Sequence, residues 1–363
     1  MKSQRLMAVD MVRGLTILGV IMVHATWFTS EGRTLPSAYV LTLLHFTREV
    51  FMAITGLVLT QAMLNRPTSW QKFFRKRYPI IGIPYILWSL IYVVRTLGWQ
   101  HPGLVITTTL SDLPTGNAAF DLYYLLITIQ FYTIFPVFFW MIRRYRERPW
   151  RLWTTVFIFE LLLMAYDAYG LGPHPQGINH YTGLEVWTYS LYFVSGGLLA
   201  TSWENVSQYL RQHRLIIASG WGLSWMMLTG VFLWTAQHKN LMTAQSVLQP
   251  AMVPYSIMTF ILLLVAGQMI TEAVKWGWVS RLLRQFSTFS LGIYLIHPMI
   301  LEPLASWAST QMPWPIADIF SVIVTASVSL GIIRMISRTR LGLWLTGRST
   351  APSPKRAPVP ALP

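Results

Sequence analysis

RGLTILGVIMVH, residues 13–24, is a run of apolar, small and hydroxyl residues closed at each end by a side chain that can carry a proton. An apolar run of this kind belongs in a membrane, yet an ionisable group inside a span costs about 2.5–3.5 kcal/mol on insertion scales. On an α-helix the eleven steps from Arg13 to His24 turn through about 1100°, only about 20° past three full turns, with a rise of about 16 Å. The two groups therefore share one helix face, and that face is directed at protein or water. Asp10, three residues before Arg13, is placed to pair with it. Two readings fit this geometry equally: a topology-marking arginine with an interhelical hydrogen-bonding histidine, or a polar track running from one membrane surface toward the bilayer centre.

The rest of the chain agrees with a membrane setting. Of its 363 residues 53% are hydrophobic and only 11% charged, and the mean hydropathy is +0.45, well away from a soluble domain. Runs long enough to span can be drawn at 13–30, 40–64, 79–98, 121–141, 152–170, 183–201, 215–236, 251–270, 286–306 and 316–336, which predicts an all-α integral membrane protein of about ten transmembrane helices. With both termini cytoplasmic, all of the 28 Lys and Arg except Arg33, Arg48, Arg95 and Lys239 fall on the inner side. The net charge of +15 is then the positive-inside bias of a protein in the cell's inner membrane, and argues against nucleic-acid binding. Residues 23–25 also suit a signal-peptide cleavage site, but the apolar run continues into Thr26-Trp27-Phe28, as in a signal anchor. The membrane domain is predicted over 1–345, followed by a disordered cytoplasmic tail at 346–363 rich in Pro, Ser and Ala.

Few ionisable groups lie within the spans, and each needs a partner or a purpose. They include His24, Arg48 and Glu49, Glu160, Asp167, Glu185, His297, Glu302 and Asp318. His297 and Glu302 are about 500° apart along the helix and so about 140° apart around it, which weakens a His–Glu pair within that span. Lys72, Arg75, Lys76 and Arg77 stand just before a span carrying Pro79 and Pro84. They read either as a topology signal with a packing kink, or as a cationic pocket for a phosphate-bearing ligand. With no Cys, thiolate metal sites and cysteine nucleophiles are excluded. His101, His174, His180 and His238 are too scattered to define a metal site, and GxSxG, HExxH and GxxxxGK[ST] do not occur.

Taken in order, five segments resemble the membrane-bound acyltransferase family 3, whose members O-acylate sugars and envelope polysaccharides. DMVRGLTILGVIMVHA resembles its opening D-x-x-R-G…H helix, with Arg13 and His24 as the Arg-x10-His pair. EVFMAITGLVLT is similar to the Phe-x3-Ser-Gly segment, here Phe51 to Thr55-Gly56. FFRKRYPIIGIPYILWSLIY resembles the R-x-x-R-I-x-P-Y segment, DLYYLLITIQFYTIFPV the H-L-W…Y…P span, and SLGIYLIHP the late S-x-x-I-Y-L-x-H-P helix. Two positions depart from the pattern: Ile80 stands where the second arginine of R-x-x-R is expected, and Asp121 where the histidine of H-L-W is expected.

The resemblance implies an O-acyltransferase, most simply an acetyltransferase, with no bound cofactor. Cytosolic acyl-CoA is the expected donor, and the hydroxyl of a cell-envelope glycan or related sugar is the expected acceptor. It implies His24 and Arg13 as catalytic residues and Lys72, Arg75, Lys76 and Arg77 as the donor-binding set, with Asp10, Arg48, His297 and Glu302 in support. A neutral imidazole suits a general base on a hydroxyl. The competing class is a secondary transporter or flippase for a glycan or anionic solute. Its expected signature is a pair of inverted halves, each with a broken helix, and no convincing pair is present.

Overall fold

The computed structural model describes residues 2–169, 185–273 and 277–348. Among these residues every regular element is helical: α1 (Lys2–Ser30), α2 (Leu35–Leu44), α3 (Phe46–Asn65), α4 (Trp70–Leu97), α5 (Pro102–Asp112), α6 (Tyr123–Arg144), α7 (Pro149–Tyr169), α8 (Ser190–Thr201), α9 (Trp203–Gln212), α10 (Arg214–His238), α11 (Leu241–Ala244), α12 (Met252–Glu272), α13 (Gly277–Thr288), α14 (Ser290–Gln311), α15 (Ile316–Ser337) and α16 (Gly342–Thr346). A 3-10 turn, Val186–Tyr189, leads into α8.

Seven of the ten predicted spans coincide with helices long and apolar enough to cross a membrane: α1, the α2–α3 pair, α4, α6, α10, α12 and α15. The ninth is a broken helix, α13 and α14 meeting at 81°, which gives eight candidate crossings among the described residues if the pair is one span. The fifth and sixth predicted spans correspond to α7 and α8. Glu160 interrupts the apolar sequence of α7, and α8 has only 12 residues, nearly all of them buried. The long loop predicted at 171–182 lies outside the described residues, as does the predicted 346–363 tail from 349 onward; its first residue, Thr346, instead ends α16 and is buried.

The prolines of two spans do not break their helices. Pro79 and Pro84 lie inside an uninterrupted α4, and Pro298 and Pro303 inside an uninterrupted α14. The sharp turn falls instead at Phe289, between α13 and α14. Helix α13 carries a strongly one-sided pattern, burying Leu283 and Phe286 while leaving Trp278 exposed. It lies against α1, where the carbonyl of Leu283 faces Gly14 so closely that any Cβ at Gly14 would meet it.

Helix α1 is the centre of the bundle and packs against α3, α12, α13, α14 and α15. The tightest seam lies between α3 and α8, where Gly56 approaches the Phe193 carbonyl and Gly196 approaches the Ala53 carbonyl. Small residues at such positions let backbones close in lipid, where no hydrophobic drive brings helices together. Above this seam Phe193 stacks on Phe131 with ring centroids 4.5 Å apart, and Phe135 and Phe138 close around it. These contacts tie α8 to α6 and hold α3 in register beside α1. Replacing Gly196 with Leu is expected to cost about 1–3 kcal/mol by overpacking, read as a lower unfolding temperature of the purified protein in detergent. The exposed Gly230, with open space around it, tolerates Ala in the same assay.

Candidate functional site

The site begins with a missing amide. In α14 the carbonyl of Tyr294 would normally accept from the backbone N–H four residues on, but that residue is Pro298 and has no N–H. The ring of His297, on the next turn, takes the free carbonyl: His297 Nδ1 lies 2.6 Å from Tyr294 O. A carbonyl can only accept, so Nδ1 carries the proton, and Nε2 of the neutral ring is an acceptor. His24 Nδ1 lies 2.7 Å from that Nε2. It must therefore be the donor, which leaves Nε2 of His24 unprotonated. The two rings lie nearly parallel, 9° apart. His297 is fully buried, whereas His24 is partly exposed.

His24 lines a cavity of about 710 Å³, within the range of small-molecule sites. Its walls are mainly apolar and aromatic, from Val20, Trp27 and Phe28 of α1, Phe51 of α3, Phe120, Tyr123 and Tyr124 at the head of α6, Tyr294 of α14, and the 242–248 segment. Phe120 meets His24 edge to face with centroids 4.7 Å apart. Two charged groups reach this wall. Arg48 donates through Nη1 to the Tyr123 hydroxyl at 3.1 Å and lies 5.9 Å from the centre of the Tyr189 ring. Glu302 is paired with Arg95 of α4 at 2.7 Å. His45 also lines the cavity. Behind Arg48, the buried carboxyls of Glu49 and Glu160 sit in a small adjoining pocket.

Arg13 lies below the cavity on α1, its guanidinium within electrostatic reach of Asp10, Tyr132, Arg77 and Tyr124. Tyr124 also lines the His24 cavity, so the same aromatic face of α6 borders both ends of the predicted track. The expected Asp10–Arg13 ion pair is not formed: among the described residues no ion pair joins them. Asp10 instead accepts from the Ser287 hydroxyl of α13 at 3.0 Å. The broken helix α13–α14 places that hydroxyl against α1 and takes the carboxylate away from its own helix.

The basic run before Pro79 divides. Lys72, Arg75 and Lys76 are exposed, while Arg77 is half-buried and turned toward Tyr132 and Arg13. Helical phase explains the split: the first three fall within an arc of about 100°, and Arg77 stands about 100° beyond Lys76. The structure thus places His24, Arg48 and Glu302 at one cavity, with His297 buried behind His24, and Arg13 with Arg77 at a second cluster nearer the N-terminal end of α1. Phe120, Tyr123, Tyr124 and His45 are site residues that the sequence reading missed. The Tyr294 carbonyl was also missed, although the Tyr-x-x-His-Pro spacing carries its signal.

Residues 7–334 match the family described as acyltransferase domain, acyltransferase family 3. No curated protein and no solved structure matches the chain.

The tautomer chain makes a spectroscopic prediction. In protein labelled with 15N-histidine, His24 is expected as the Nδ1–H form, with Nε2 at the shift of an unprotonated nitrogen. Pro298→Ala returns an amide to the Tyr294 carbonyl and is expected to mix the tautomers of both rings. A dominant Nε2–H form of His24 in the parent protein would contradict the arrangement.

Proposed function

The chain belongs to acyltransferase family 3, and on that footing we propose that it transfers an acyl group, in the first instance acetyl, from cytosolic acyl-CoA to a hydroxyl of a cell-envelope glycan or related sugar. The observation that carries this reading is the Tyr294 carbonyl–His297–His24 chain, which leaves a basic imidazole nitrogen at the wall of a ligand-sized cavity. In the proposed reaction His24 Nε2 takes the proton of the acceptor hydroxyl as its oxygen attacks the thioester carbonyl. The C–S bond then breaks, and the imidazolium returns the proton to the departing CoA sulfur. His297 holds His24 in the reactive tautomer and shares the charge that forms on it. Arg48, fixed by Tyr123, is the cation at the cavity wall suited to the developing oxyanion. The aromatic lining suits the apolar faces of a sugar ring.

The donor's phosphates are assigned to the basic cluster of Arg13 and Arg77, with Lys72, Arg75 and Lys76 on its exposed rim. This division requires both termini on the cytoplasmic side of the inner membrane, the orientation favoured by the distribution of Lys and Arg. The thioester arm then runs along α1 from Arg13 to His24, about 16 Å by helical rise.

The reading is tested with purified protein, labelled acetyl-CoA and surface glycan. Transfer by the parent protein is expected to fall about 10²–10⁴-fold in His24→Ala, the usual contribution of a general base. His297→Ala is expected to lower kcat by less, because His24 keeps its own nitrogen. Undiminished transfer in His24→Ala would remove this residue as the base.

A further inference from the structure

The chain beyond α15 turns back into the bundle. After Ser337 a short turn leads into α16, and the segment that follows is latched to three helices. Trp88 Nε1–H of α4 donates to the Leu345 carbonyl at 2.8 Å. Thr346 is buried and packs at Gly292 of α14, where a Cβ would stand 3.0 Å from the Thr346 Cβ. Gly347 takes a left-handed φ of +66° and lies against the Ile80 carbonyl, so close that a Cβ there would be 2.7 Å from it. Glycine is thus required twice at this position, by conformation and by approach. The latch fixes the residue after it: Arg348 Nη1 donates to the Thr288 carbonyl at the end of α13, at 3.4 Å.

Both anchors of Arg348 lead to the basic cluster under the cavity. Thr288 follows Ser287, whose hydroxyl is bonded to Asp10, one helical turn from Arg13. Ile80 is one turn along α4 from Arg77. Arg13 and Arg77 are already close enough to repel each other. Among the described residues none of Arg13, Arg77 and Arg348 has a carboxylate within ion-pair distance. Asp10, the one acid in this ring, is shared with a hydroxyl. Arg13 and Arg77 share a field with so little negative charge that their juxtaposition is unfavourable unless an anion joins them, and Arg348 is anchored beside them through α13 and α4. The planar donor fork of arginine suits phosphate oxygens in particular.

We infer that the C-terminal hook is part of a phosphate-binding site, with Arg348 acting alongside Arg13 and Arg77 on a polyphosphate anion. On the reading proposed above, that anion is the phosphorylated end of the CoA donor. Residues 342–348 then border the donor mouth, and Trp88 and Gly347 serve as positioning residues for the hook. A purely structural role for Arg348, capping the last carbonyls of α13, would make no distinction between phosphorylated and unphosphorylated donors.

That distinction is the test. Steady-state transfer is measured for the parent protein, Arg348→Gln and Arg348→Lys, with acetyl-CoA and with S-acetylpantetheine, which lacks phosphate. Equilibrium binding of CoA and of inorganic pyrophosphate is measured on the same full-length preparations. Arg348→Gln is expected to raise KM for acetyl-CoA about tenfold, the loss of one charge-assisted contact, with kcat kept and S-acetylpantetheine unaffected. Arg348→Lys should recover part of the loss. Arg348→Gln is also expected to weaken CoA and pyrophosphate binding. Equal loss with both donors, or unchanged binding of both anions, would overturn the hook proposal. If the parent protein transfers no acyl group yet binds pyrophosphate in an Arg348-dependent way, the transfer reading falls and the anion site stands.

Discussion

A proline that cannot donate a hydrogen bond sets the chemistry of this protein. Because position 298 has no N–H, the Tyr294 carbonyl is left open inside a helix, where an unpaired backbone acceptor is costly. His297 satisfies it, and in doing so must keep its proton on Nδ1. The next ring along, His24, then has no choice of tautomer. A backbone vacancy in one helix thus decides which nitrogen of a histidine in another helix is basic. In a setting of low polarity each hydrogen bond in the chain counts for more.

The rest of the bundle supports that one contact. Helix α1 must stand beside α14 for His24 to reach His297, and the close seam of α3 with α8 fills the space on the other side of α1. The break between α13 and α14 has a second effect. It lays α13 along α1, so that the Ser287 hydroxyl bonds to Asp10 and Arg13, without an ion pair to it, shares its field with Arg77 as well. A single bend therefore separates two kinds of chemistry on α1: neutral, hydrogen-bonded imidazoles near its C-terminal end, and cationic guanidiniums nearer its N-terminal end.

Local patterns account for what could be read in advance. The spans at α1, α3, α4, α6, α10, α12 and α15 are visible because hydropathy is a property of contiguous residues, and a lipid-facing helix needs nothing beyond its own length. Arg13 and His24 share a face for the same reason: helical phase is set by spacing alone. The division of Arg77 from Lys72, Arg75 and Lys76 obeys that phase too, though the run reads at first as one cluster. Helix α8 is the opposite case. Its 12 residues span poorly by themselves, and its place comes from Gly196 and Phe193 meeting partners far away in the chain.

The amino-acid sequence by itself determined an all-helical membrane chain, the family to which it belongs, and the helix face that carries Arg13 and His24, since periodicity, hydropathy and motif order are all local. Tertiary structure alone decided which groups those side chains meet. His24 and His297 are 273 residues apart in the chain, Glu302 finds Arg95 rather than a histidine, and Asp10 finds Ser287 rather than Arg13. Each choice depends on how helices cross and on which competing partner arrives closer, and no spacing along one helix encodes that.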